Sequence, residues 1–224
     1  MFEFIGTAFD KGGPNMYVIL ITFVFLLVVM VERIIVLYFQ SNVDKEGFTK
    51  VLIKNILSGN LQGALKLCSI SKFPLARILQ AGLMKALESD AAVQAAMDEA
   101  ALREMPKIEK RTGYLAMLGN VTVLMGLLGT ILGLIRSFGA VAEADAASKA
   151  TELAKGISEA MYNTAFGLAT AIIAIIAYAF LQSKSQHLID DINETTVSVL
   201  NLITANRDKF TGAKGSTRVQ DSAQ

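Results

Sequence analysis

The chain has 224 residues, 53% of them hydrophobic, with a mean hydropathy of +0.46 and a formal net charge of +1 at pH 7. So even a balance gives no general electrostatic case for nucleic acid, and the clustering of the apolar residues points to one membrane domain with soluble appendages. A single cysteine, Cys68, excludes an intramolecular disulfide, and a single histidine, His187, has no second His or Cys near it with which to ligate a metal.

Residues 1–16 carry Glu3 and Asp10 against Lys11, and no small-x-small cleavage pattern follows the first apolar run, so a membrane span is favoured over a signal peptide. The first span is placed at 17–39. At about 1.5 Å per residue it can cross a hydrocarbon core of about 30 Å, with Glu32 and Arg33 near one interface where Arg33 can snorkel.

The segment 40–112 reads as a set of helices. Phe48, Val51, Leu52, Ile56 and Leu57 recur at helical spacing and stop at Gly59, a C-terminal cap, after which Asn60 caps the next helix from Leu61 to Cys68. Pro74 opens a helix running through Leu87. Ser89 and Asp90 then cap an Ala-rich run of strong helix propensity, which Pro106 is expected to kink or break. Lys107, Glu109, Lys110 and Arg111 form a solvated face at headgroup level.

The second span lies at 113–141 and the third at 157–182, joined by a connector at 142–156. In the second, Gly119, Thr122, Gly126, Gly129 and Gly133 are spaced 3, 4, 3, 4, so they form one stripe that lets backbones approach. In the third, Ala160, Thr164, Gly167, Ala171, Ala174 and Tyr178 form a matching stripe, which implies tight helix contact within the chain or around an oligomer. Beyond it, Ile189, Ile192, Val199, Leu200 and Ile203 continue an amphipathic helix over 183–210. The tail 211–224 has the composition of a disordered segment.

Few polar residues interrupt the hairpin. The hydroxyls of Thr130 and Thr164 have two readings, bonding back to their own helix or relaying a cation through a narrow wet path; Asn120, Asn163 and Thr170 are lesser candidates. Glu159 lies at the outer end of the third span. Facing a pore it would gather cations, whereas an ion pair with Arg136, at the outer end of the second span, would be structural for both. No carboxylate lies in the core of any span, so a translocated proton needs an acceptor from elsewhere. Without a phosphate-binding loop, a metal-ligand cluster or a nucleophile paired with a histidine, the chain is read as a non-enzyme with no cofactor.

Orientation follows from charge. Eleven Lys or Arg lie between Ser41 and Arg111, against only Lys149 and Lys155 between Val141 and Ile157 and Lys11 near the N-terminus. The 40–112 segment is therefore cytoplasmic, the N-terminus and the connector outside, and the C-terminal part inside. Cys68 is then a free thiol, read as a small buried hydrophobe. The fold class is an all-α membrane protein with three transmembrane helices and a helical cytoplasmic region.

The runs LAMLGNVTVLMGLLGTILGLIRSF and GISEAMYNTAFGLATAIIAIIAY strongly resemble the two pore-forming helices of the MotA/TolQ/ExbB proton-channel family, and GNLQGALKLCSISKFPLARILQAGL is similar to its cytoplasmic region. Length and the outside N-terminus suit the ExbB/TolQ branch. The resemblance implies a multi-pass protein of the bacterial inner membrane, a homopentamer around the single helices of a dimeric ExbD/TolR-like partner whose aspartate carries the ion. It also implies a TonB-like or TolA-like client, or a gliding motor. By motif position it places Thr130 and Thr164 opposite that aspartate, Glu159 at the outer mouth, and Gly126, Gly129, Gly133, Ala160, Gly167 and Ala171 in helix packing and pore lining. Val123 and Ile173 depart from the family, whose members often carry proline there, so both helices are expected to be straighter. The competing classes are a passive membrane scaffold or signalling adaptor, and a secondary transporter, which the lack of an internal repeat disfavours.

Overall fold

The computed structural model describes residues 12–40, 45–71 and 73–210; most of the 1–16 segment and the tail 211–224 lie outside them. The helices in chain order are α1 (Gly13–Ile34), α2 (Lys45–Leu57), α3 (Leu61–Ile70), α4 (Pro74–Met84), α5 (Asp90–Glu109), α6 (Thr112–Glu143) and α7 (Lys149–Ala205), with a π-helical stretch Ile35–Gln40 after α1. Among the described residues no strand occurs, and three helical stretches are long and apolar enough to cross a membrane. The chain divides into two compact units, Met1–Ile34 with Arg111–Gln182, and Ile35–Lys110 with Ser183–Gln224.

In the first unit α1 packs on α6, and Phe23 meets Phe166 of α7 edge-on at 6.1 Å between ring centroids. The hairpin of α6 and α7 is closed by the two small-residue stripes, which face each other within one chain. A Cβ added at Gly167 would stand 2.9 Å from the Thr122 carbonyl oxygen and 3.1 Å from Gly126 Cα, so the two backbones are in contact there. Above and below that point the register continues, with Gly119 against Ala174 and Gly133 against Ala160. Only residues without a bulky side chain allow this approach, and in an apolar solvent such packing replaces the hydrophobic drive that water would supply.

The second unit is built like a small soluble domain. Helix α2 ends in a Schellman turn, in which Gly59, at φ +74°, donates to the Ile56 carbonyl while Asn60 donates to that of Asn55. Asn60 then accepts from the Gly63 amide and Ser89 from the Ala92 amide, capping α3 and α5. The core gathers Leu52, Ile56, Cys68, Ile78, Leu79 and Met97, and Phe48 meets Phe73 edge-on at 4.8 Å. Burial pushes the Cys68 thiol up to about 11. Burial alone would raise the Glu104 carboxyl, but hydrogen bonds from Lys107 and Arg77, with their charges, hold it below the usual carboxylate range.

Three expectations change. Pro106 does not end its helix: it sits on the exposed face of α5, which runs on to Glu109. The break falls instead at Lys110 and Arg111, where Arg111 takes φ +68° and its guanidinium meets Glu32 at 2.5 Å. Arg33 is 3% exposed rather than reaching toward solvent, because the protein's own side chains enclose it. Finally, α7 starts at Lys149 and runs unbroken to Ala205, so only 144–148 of the connector lies between helices. Helices α6 and α7 also pass without interruption through Val123 and Ile173.

The seam yields a direct test. Gly167→Ala is expected to destabilise the protein by about 1–3 kcal/mol, because the added methyl meets backbone that cannot move aside. Gly139→Ala, where nothing lies within 4 Å, should be neutral or stabilising by up to about 1 kcal/mol. Thermal melting of both variants in detergent distinguishes them, and equal melting temperatures would contradict the seam.

Candidate functional site

The seam decides where each polar residue of the hairpin goes. Thr122 is buried and donates to the Leu118 carbonyl at 2.6 Å, a bond within its own helix. Thr130 is half-buried and does the same with Leu127 at 2.5 Å. Thr164 is also half-buried but reaches across the seam, donating to the Gly126 carbonyl at 3.4 Å. Back-bonding thus describes Thr130 and not Thr164. Each hydroxyl keeps acceptor capacity and lies at the edge of the seam, where another group can approach it.

Asn163 is the residue that the sequence undervalues. It is 0% exposed, and neither its amide nitrogen nor its amide oxygen has a hydrogen-bond partner. Its side chain lies against Gly129: a Cβ built there would meet Asn163 Cβ at 2.9 Å and Nδ2 at 3.4 Å. Moving such an amide from water to hydrocarbon with no compensating bond costs on the order of 4–8 kcal/mol. A polar residue flanking a small-residue stripe was visible in the sequence, but its orphaned state was not. Thr170 is buried too, and Asn120 is exposed. Together Thr130, Asn163 and Thr164 occupy one level of the hairpin, around Gly126 and Gly129.

Glu159 stands nearer the loop end. Its carboxylate faces Arg136 at 3.5 Å, with side chains 22% and 51% exposed respectively, so this pair is partly screened and worth little by itself. The structure adds a contact that sequence reasoning missed. A Cβ on Gly13 would fall 2.0 Å from Glu159 Oε1, which places the carboxylate over the first turn of α1. Unpaired amides and the positive end of the helix dipole favour a negative charge there. Gly13 also has φ +65°, so glycine serves both the turn and the close approach. Its signal in the sequence was a glycine immediately before Pro14.

Of the remaining predicted residues, Gly126, Gly129, Gly133, Ala160, Gly167 and Ala171 are all buried, and the four glycines and Ala160 make contact in the seam between α6 and α7. The loop end is closed by Gly156, whose Cβ would strike Ser137.

Comparison with known proteins gives a consistent picture. Residues 70–194, more than half of the chain, match the MotA/TolQ/ExbB proton channel family. The chain is 41% identical over 97 residues to the Tol-Pal system protein TolQ of Pseudomonas aeruginosa, a match covering 43% of this chain and 42% of that protein. It is 27% identical over 194 residues to an ExbB homolog of Methanothermobacter thermautotrophicus, covering 85% of this chain and 68% of the other. With the biopolymer transport protein ExbB of Salmonella typhimurium it shares 41% identity over 66 residues, which is 30% of this chain and 27% of that one. The matched stretches therefore span less than half of the TolQ and ExbB proteins with the higher identity.

Gly13→Ala should lower stability through two separable effects, the left-handed backbone and the displaced Glu159 carboxylate. The backbone part is about 1–2 kcal/mol. In a Glu159→Ala background only that part should remain, so the two substitutions are expected to be non-additive in thermal melting. Simple additivity would show that Gly13 and Glu159 do not share a contact.

Proposed function

This chain belongs to the MotA/TolQ/ExbB proton channel family, and on that footing we propose that it is a ring-forming subunit of an ion-driven inner-membrane motor. In this reading protons cross under the membrane potential and the ring moves about an ExbD/TolR-like partner, doing work on the cell envelope. The observation that carries the reading is the level of the hairpin around Gly126 and Gly129, where Thr130 and Thr164 stand half-buried at the edge of the seam. The chain has no carboxylate in its span cores, so the ion acceptor is an aspartate of the partner. The threonine hydroxyls, which can donate and accept, pass the ion to it.

Energetics suit a cycle of repeated passages. One charge crossing 100 mV releases about 2.3 kcal/mol, so mechanical work accumulates over many ions. Glu159 takes the mouth. Its attachment to Arg136 and to the α1 N-terminus makes it an anchored charge that gathers cations without being the final acceptor. The client is a TonB-like, Tol-like or gliding system, and the ring is a pentamer as in the family.

The orientation proposed is N-terminus outside and 40–112 cytoplasmic. Cys68 is a poor reporter of it, since its thiol is buried and pushed up to about 11, so it resists labelling on either side. In a Cys68→Ala background, an impermeant maleimide added outside should label Ala146→Cys but not Gln94→Cys, both positions being exposed in the fold. The reverse pattern would overturn the orientation.

Thr130→Val and Thr164→Val should each abolish client work in cells carrying the partner while leaving the complex assembled, because valine keeps the shape and removes the hydroxyl. Glu159→Gln should cost only several-fold, by removing charge at the mouth. Full activity of both valine variants in assembled complexes would favour a passive scaffold, the role consistent with the back-bond of Thr130.

A further inference from the structure

We propose that Asn163 is a further residue of the ion path, its carboxamide binding water that enters between α6 and α7 with the passing cation. The inference rests on the ion-path reading and deepens it. Two independent observations meet at this point. The first is the seam itself, where Gly126 and Gly129 leave no side chain between the helices. The second is the fully buried amide of Asn163 lying against Gly129 with its oxygen and nitrogen both unpartnered.

An amide carries two N–H donors and an oxygen with two lone pairs, and none of them is used within the protein. Buried native amides are almost always satisfied, by protein or by water. Alanine would fill the seam at this level as it does at Ala160 and Ala174, both closely packed against glycines of α6. A polar side chain here leaves amide groups that only water or an ion can satisfy. The neighbouring residue Thr164 donates across to Gly126, and Thr130 follows Gly129, so water held by Asn163 would lie at the same level of the hairpin as both threonines. A neutral carboxamide does not store a proton near neutral pH. It orients water through its N–H groups and can offer its oxygen to a cation, which places Asn163 as a positioning residue rather than the acceptor.

Hydration can be read without activity. In a Cys68→Ala background and in native membranes holding the full complex, Asn163→Cys should react with a small cationic methanethiosulfonate reagent at least about tenfold faster than Ala174→Cys, an equally buried position in the same seam. Asn163→Ala should still assemble and lose about tenfold or more of ion-driven work, and Asn163→Ser should recover part of it. Equal labelling at the two positions would overturn the proposal by showing a dry seam, and failure of the Asn163 variants to assemble would do so by making the residue a packing element. Full work in Asn163→Ala would also overturn it, while loss in Thr130→Val in the same assay would leave the ion-path reading standing. If the threonine variants are fully active as well, that reading itself fails.

Discussion

Backbone-to-backbone contact between Gly126 and Gly167 is the constraint on which the hairpin depends. Neither helix can slide or rotate there without bringing a larger residue into a space that does not accept a methyl group. Because the contact is antiparallel and continues from Gly119 and Ala174 to Ser137 and Gly156, it fixes the height of every residue along both helices. Apolar helices in an apolar solvent gain little from burying one another, so the fit of small residues, dispersion and a few cross-helix bonds must supply the specificity. The reach of Thr164 to the Gly126 carbonyl is one such bond.

A seam consumed within the chain leaves other apolar faces uncovered. Leu124, Leu127, Ile131 and Ile135 of α6, with Ile172 and Ile176 of α7, are large apolar residues open to the surroundings. Such surface is covered by lipid or by further protein. These exposed apolar residues lie on faces flanking the glycine stripes, apart from the residues that close the hairpin. Thr130 and Thr164 lie where the two kinds of surface meet.

The second unit follows the rules of a water-soluble core. Its helix ends are capped by Asn60 and Ser89, its glycine at 59 takes the left-handed conformation that closes a helix, and its buried carboxylate is held by two cations. Helix α7 contributes its first part to one unit and its last part, with Leu188, Ile192, Val199 and Ile203 buried, to the other.

Sequence by itself determined the helical class, the three apolar stretches, the caps at Gly59, Asn60 and Ser89, and the membership of both small-residue stripes. These depend on local spacing and on residue size, which are written along the chain. The choice between packing within the chain and around an oligomer was not legible, since either partner suits a glycine stripe. The pairing of Gly126 with Gly167 settled it. Pro106 read as a kink or a break because its missing N–H was visible, whereas its place on an exposed face and the left-handed turn at Arg111 were not. The same holds for the site. Thr130, Thr164 and Glu159 stood out by residue type, but only tertiary structure turned Thr130 back on its own helix, sent Thr164 across the seam, set the Glu159 carboxylate over Gly13 and left the Asn163 amide buried without a partner. Hydrogen bonds and burial belong to pairs of residues far apart in the chain, and the close approach of two helices decides them.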